Sequence, residues 1–336
     1  MMERLNALLE AQGWLLADGA TGTNLFDMGL EAGEAPELWN IDAPDKVRAV
    51  YDGAINAGSD LFLTNSFGGS AARLKLHQAE GRVKALNAAA ARIARAAADA
   101  APRPVLVAGS VGPTGELLAP VGTMSEEEAT ALFSDQIEWL LEGGADLIWV
   151  ETISSAEEFR AAARAVEQHA APWCGTMSFD TAGRTMMGVT APDLVALVDA
   201  LPHPPLAFGA NCGTGASDLL RTILGLSRAG PSLPLVAKGN AGIPKFVDGC
   251  VHYDGTPALM GDYAVLARDC GARIIGGCCG TRPPHLAEMR ARLEASEPGS
   301  PPALQTIADR LGAFSSESDG TGPEQAPSRP RRRRRG

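Results

Sequence analysis

The sequence predicts a closed (β/α)8 TIM barrel with a disordered C-terminal tail, and three observations carry that reading. Short apolar runs rich in β-branched residues recur eight times between residues 14 and 276. Each is followed by a Gly-, Asn- or Thr-rich turn and then by an Ala/Leu-rich stretch of helical period. The polar residues capable of chemistry fall at the carboxyl ends of those runs, where such barrels carry their sites.

In chain order the strands are predicted at Trp14–Ala17, Asp60–Thr64, Pro104–Ala108, Leu147–Glu151, Trp173–Phe179, Leu206–Asn211, Leu233–Lys238 and Ala272–Gly276. Between them the clearest helices are "GRVKALNAAAARIARAAADA" at 81–100 and "SEEEATALFSDQIEWLLEGGA" at 125–145. The second opens with Ser125 and Glu128 in capping-box spacing and stops at Gly143 and Gly144. An open doubly wound sheet is the competing architecture. It wants a glycine-rich phosphate loop after its first strand, and "DGATGTN" at 18–24 is only loosely of that type.

Residues 1–295 are assigned to the barrel and 296–336 to a Pro/Ser/Gly-rich tail, with one amphipathic turn-and-a-half at 303–314. The tail ends in Arg329 and Arg331 to Arg335, without which the net charge of −11 would be −17. An acidic body of that kind disfavours nucleic acid as a partner. The arginine run reads either as a solvated tail or as a tether to an acidic partner. No apolar stretch is long enough to span a bilayer, and the first residues lack the apolar core and cleavage site of a signal peptide, so a cytoplasmic location is expected.

Six cysteines are too sparse for a disulfide scaffold. Cys174, Cys250 and Cys270 read as small buried hydrophobes. Cys212 ends the sixth strand, and Cys278 and Cys279 end the eighth between glycine pairs in "GGCCGTRPPH". Neighbouring cysteines do not readily bridge to each other. Both can face one point only if the backbone leaves strand geometry, which Gly276, Gly277 and Gly280 permit. Three cysteines without a fourth protein ligand suggest a tetrahedral Zn2+ site with one position left for a reacting group. Three thiolates more than cancel the ion's charge, which suits a further soft sulfur better than water, so a substrate thiol is the expected fourth ligand. The alternative is three core cysteines without metal.

The segments "DGATGT" (18–23), "TNSF" (64–67), "VET" (150–152), "GANCG" (209–213), "GNAGIP" (239–244) and "GGCCGTRPPH" (276–285) stand in an order and spacing that resemble the zinc-dependent homocysteine S-methyltransferases. That family includes betaine- and S-methylmethionine-dependent enzymes and the homocysteine domain of cobalamin-dependent methionine synthase. The resemblance covers about residues 10 to 295, the whole predicted barrel. It implies that Cys212, Cys278 and Cys279 hold zinc, that Asp18 and Glu151 hold the amino acid substrate, and that homocysteine is methylated to methionine. Acidic side chains suit the α-ammonium of homocysteine, and backbone N–H groups around Ala20, Thr21 and Gly22 suit its carboxylate. Asn65 and Asn211 are expected to position loops around the substrate. His252 and His285 are expected not to bind metal.

The methyl donor is expected to be betaine or a related onium compound, which should meet aromatic faces. The animal betaine enzymes carry tyrosines where this chain has Gly68 and Thr152, leaving Trp39 and Phe67 as the leading donor-site candidates, with Tyr253 and Tyr263 behind them. A methylcorrinoid carried by a separate protein is the alternative donor, since the chain has no cobalamin-binding DxHxxG signature. A zinc-holding structural or RNA-associated protein is the non-enzyme alternative. Oligomeric state is not legible.

Overall fold

A computed structural model describes residues 2–242, 244–247 and 250–321. Its principal sheet has eight parallel strands: β1 (Leu15–Leu16), β2 (Leu61–Leu63), β3 (Leu106–Val111), β4 (Leu147–Ile153), β5 (Trp173–Met177), β6 (Ala207–Cys212), β7 (Leu235–Gly239) and β10 (Ala272–Gly277). β8 (Pro244–Val247) and β9 (Cys250–Tyr253) form a separate antiparallel hairpin between β7 and β10. The sheet order is β1-β10-β7-β6-β5-β4-β3-β2, a ring whose ends meet at β1 and β2. The Asp60 N–H donates to the Leu16 carbonyl at 2.7 Å across that seam. Two carboxylates finish the closure: Asp60 accepts from the Leu16 N–H and Asp18 from the Leu63 N–H, both at 2.9 Å. The fold is therefore a (β/α)8 barrel, as the sequence predicts.

The helices are α1 (Met2–Gln12), α2 (Thr21–Asp27), α3 (Trp39–Asp42), α4 (Pro44–Asn56), α5 (Ala71–Leu74), α6 (Val83–Asp99), α7 (Glu126–Glu142), α8 (Ala156–Gln168), α9 (Ala191–Asp199), α10 (Ala216–Arg228), α11 (Pro257–Asp269), α12 (Pro283–Glu294) and α13 (Leu304–Leu311). The capping box read from Ser125 and Glu128 is formed at the start of α7. Among the described residues no helix is long and apolar enough to cross a membrane.

Strand alternation divides the interior in two. Leu15, Leu61, Leu63, Leu106, Ala108, Leu147, Trp149, Cys174, Ala207, Val236 and Ile274 point into the barrel, with Leu5 and Leu9 of α1 packed against them. Leu16, Phe62, Val107, Ile148, Trp173, Phe208 and Ile275 point outward and pack under the helices. Side chains two residues apart share a face, so the next inward positions are Ser110, Glu151, Thr176, Asn211 and Lys238. The layer above the apolar plug is thus polar because of the strands' own period.

The packed chain extends further than the sequence reading placed it. Residues beyond 295 were expected to be disordered, yet α13 packs on α10 and α11 with Ile307 fully buried and Leu311 nearly so. Residues 312–316 then hydrogen-bond to α10. The amphipathic stretch read at 303–314 carries Ile307, Leu311 and Phe314 at spacings that fall on one helical face, and these dock a segment whose Pro- and Ser-rich surroundings read as disordered. The arginine run lies outside the described residues.

Candidate active site

The sulfurs of Cys212, Cys278 and Cys279 all lie within 4.8 Å of one another at the carboxyl-terminal mouth. Tetrahedral zinc with bonds of about 2.3 Å to sulfur needs sulfurs about 3.8 Å apart, so the trio fits such an ion with small adjustments. Backbone, not side chain, makes the convergence. Cys212 ends β6 with φ +61, a left-handed conformation that turns its side chain off the strand's alternation. After β10 the chain turns sharply: the Cys278 N–H donates to the Gly239 carbonyl at 2.7 Å and the Thr281 N–H to the Cys278 carbonyl at 3.1 Å. A Cβ on Gly277 would stand 2.2 Å from Thr281 Oγ1, so only glycine lets this turn close.

Three thiols this close resist ionising together. The Cys212 thiol is pushed up to about 12, first by its hydrogen bond with Cys278. Cys279 is pushed up to about 11, first by Cys212. Cys278 is also raised: the hydrogen bond with Cys212 lowers it, but Cys279 and burial outweigh that. A bound cation would let all three ionise together, and soft sulfur donors suit a thiophilic metal.

Asn211 is fully buried and ties this centre to β4. Its Oδ1 accepts from the Thr152 N–H at 2.9 Å and from Thr176 Oγ1 at 2.7 Å. Its Nδ2 donates to Thr152 Oγ1 at 2.8 Å and lies 3.8 Å from the Cys278 sulfur. Thr152 has φ +62, and the β4–β5 register shifts between Val150 and Ile153. A bulge of this kind re-aims a side chain, here that of Thr152, which turns to Asn211 beside the inward-facing Glu151. Glu151 accepts from Ser110 Oγ at 2.5 Å. Burial raises the Glu151 pKa, and nearby Lys238 partly opposes the rise.

Lys238 is the residue that sequence reasoning missed. Its ammonium is 2.5 Å from Asp18 Oδ1, with 2% of its side chain exposed. Burial works against its charge, but Asp18 and then Glu151 outweigh burial, so the pKa ends raised and Lys238 stays protonated. The available signal was a lysine two residues beyond inward-facing Val236 at the end of an apolar strand. Its presence changes the expected role of Asp18: both carboxylate oxygens are already engaged, one by Lys238 and one by the β2 backbone. Glu151 is the carboxylate with an oxygen that no protein donor takes among the described hydrogen bonds.

Ala20 precedes α2, whose first turn begins at Thr21 and Gly22. The opening turn of any α-helix leaves N–H groups without an intrahelical acceptor. Asn65 is committed elsewhere, with its N–H on the Tyr51 hydroxyl at 2.6 Å and its Nδ2 on the Pro36 carbonyl at 2.7 Å and on Asn40 Oδ1 at 3.0 Å. It holds the 36–40 loop that carries Trp39. Lys46 Nζ stands over the Trp39 ring at 4.3 Å, and the half-buried Phe67 packs on the backbone of Gly112. Tyr253 lies against Gly280 beside Cys279, whereas Tyr263 is buried and accepts from the Gly239 N–H at 2.8 Å. His285 accepts from the Arg282 N–H and reaches the Gly255 carbonyl, a turn-holding role; the His252 side chain lies outside the described residues. Cys174 and Cys270 are buried away from the trio.

Residues 15–293 match the homocysteine S-methyltransferase family, and the chain belongs to that family of methyl-transferring enzymes. Among solved structures it is similar to the homocysteine methyltransferase MmuM from Escherichia coli in its oxidized form. The identity is 31% and the TM-score 0.70, over 86% of this chain and 99% of that one. The metallated form of the same enzyme is similar at 29% identity and a TM-score of 0.67, with the same coverage.

Proposed function

We propose that this chain transfers a methyl group to the thiol of homocysteine, forming methionine, at a zinc ion held by Cys212, Cys278 and Cys279. The observation that carries the reading is the convergence of those three sulfurs at the mouth of a barrel of this family. Zinc bound there supplies the acidity that keeps a substrate thiol ionised at neutral pH, well below the roughly 8.5 of a free cysteine.

The chain's own residues then position the amino acid. Glu151 takes the α-ammonium with the carboxylate oxygen left open by Ser110. Asp18 serves through Lys238, whose positive charge helps keep Glu151 ionised. The first-turn N–H groups of Thr21 and Gly22 take the α-carboxylate, while the Ala20 N–H is held by the Thr281 carbonyl at 3.2 Å. Asn211 fixes the Thr152 bulge and the Cys278 side together. The substrate sulfur attacks the donor's methyl carbon, the carbon–heteroatom bond breaks, and its electron pair leaves with the donor. No general base is needed once the thiol is ionised.

An onium donor fits this step, because the departing heteroatom becomes neutral. Trp39 and Phe67 are the donor-side aromatics, and Lys46 over the Trp39 ring means that a quaternary ammonium such as betaine must compete with a resident cation. A reducing, cytoplasmic setting suits three cysteines that must remain thiolates. The test is methionine formation by the zinc-loaded protein alone from homocysteine and, in turn, betaine, dimethylsulfoniopropionate, S-methylmethionine and methylcobalamin. Turnover with an onium donor supports a self-sufficient enzyme. Turnover with methylcobalamin only would replace that reading with the homocysteine module of a split methionine synthase, and no turnover with any donor would sink both.

A further inference from the structure

We propose that residues 312–321 form a strap that holds the Cys212 loop in its ligating conformation, which makes Asp218 and Arg221 positioning residues for the metal centre. The proposal rests on the reading that the three cysteines hold a metal. The strap lies beyond the part of the chain that matches the family, which ends at residue 293.

Cys212 and Gly213 have φ +61 and +75, and they run directly into Thr214 and the start of α10. For a non-glycine residue the left-handed conformation is strained and persists only where its surroundings enforce it. Two sets of contacts do so. On one side, Asn240 Nδ2 donates to the Gly213 carbonyl at 2.8 Å. On the other, Thr214 Oγ1 donates to Asp218 Oδ2 at 3.0 Å, and that same oxygen accepts from the strap's Ser315 N–H at 3.0 Å.

The strap is anchored by more than this one bond. Ser217 Oγ donates to the Gly312 carbonyl at 2.6 Å. Arg221, largely buried, joins Asp218 Oδ1 at 2.7 Å to the Ser316 carbonyl at 2.8 Å, and its guanidinium lies 4.6 Å from the centre of the Phe314 ring. Further along, the strap meets the loop after β5 backbone to backbone. A Cβ on Gly183 would stand 2.3 Å from the Asp319 carbonyl carbon. The extension thus runs from the helical layer up to the mouth and closes on the loops that follow β5 and β6.

The test uses full-length Phe314→Ala and Ser315→Pro, with Arg310→Ala as a control that loosens α13 without touching the strap. Zinc transfer to a chromogenic chelator, melting of the metal-free proteins and protease cleavage within 312–321 are measured alongside kcat and KM. Where partners of metal ligands are lost, affinity falls on the order of ten- to a hundredfold, and that loss of zinc affinity is expected for both strap variants but not for Arg310→Ala. Phe314→Ala removes a ring contact and no hydrogen bond, so it carries the test if Ser315→Pro fails to fold. A strap released to protease with wild-type zinc affinity would overturn the proposal while leaving the proposed function standing. A wild-type protein that holds no zinc would overturn both.

Discussion

Replacing Lys238 with methionine removes the one cation from a buried trio and leaves two carboxylates. Asp18 and Lys238 are 5% and 2% exposed, so solvent screens their 2.5 Å contact little. Breaking such a pair from one side costs about 3–5 kcal/mol, because the remaining charge stays buried without a partner. At roughly 2 °C per kcal/mol for a chain of this size, the melting temperature should fall by about 6–10 °C. Asp18→Asn in the same background removes the stranded charge, while its amide oxygen can still accept from Leu63. The double variant should therefore recover much of the loss, with a coupling of about 2 kcal/mol or more in the cycle. Thermal melts of the four proteins, read by circular dichroism, measure it. A Lys238→Met protein within about 1 kcal/mol of wild type, or additive effects of the two changes, would refute the argument that Lys238 neutralises the mouth.

Other outcomes follow from the same geometry. Cys212→Ala and Cys279→Ala should each lose zinc retention and turnover together; a zinc-free variant with normal turnover would contradict the account. Gly277→Ala should lose zinc as well, because its methyl group would overlap Thr281 and force the Cys278–Cys279 turn open; metal analysis after gel filtration checks this. Glu151 has a pKa raised above 4.5, so it protonates at higher pH than an ordinary glutamate, and KM for homocysteine should climb as pH falls through that raised value. Glu151→Gln should bind weakly at every pH and flatten the profile. On stability the same shift has the opposite sign: its contribution is full below the unfolded glutamate pKa and is lost as pH rises through the folded value.

The barrel was legible because its strands and helices repeat two incompatible periods. All eight predicted strands overlap observed ones, and the differences are at ends, as at β1, where Trp14 and Ala17 fall outside the two-residue strand. The cysteine trio was legible for a different reason, since a doublet flanked by glycines has few structural uses. The β8–β9 hairpin was not foreseen. Nor was the engagement of Asp18, because a salt bridge across 220 residues leaves no local pattern. Asn65 was expected to position loops around the substrate, and its N–H and Nδ2 hold Tyr51, Pro36 and Asn40. The docking of α13 and the strap was hidden by composition, since Ile307, Leu311 and Phe314 suffice to dock a segment that is otherwise Pro-, Ser- and Gly-rich.

The most direct test of the central claim is methionine formation from homocysteine by the full-length protein with its working donor, measured as purified, after exhaustive chelation, and after one equivalent of zinc is returned. The account predicts activity lost with the metal and restored with zinc in the wild type, and no restoration in Cys279→Ala. Activity that survives complete removal of metal would contradict it.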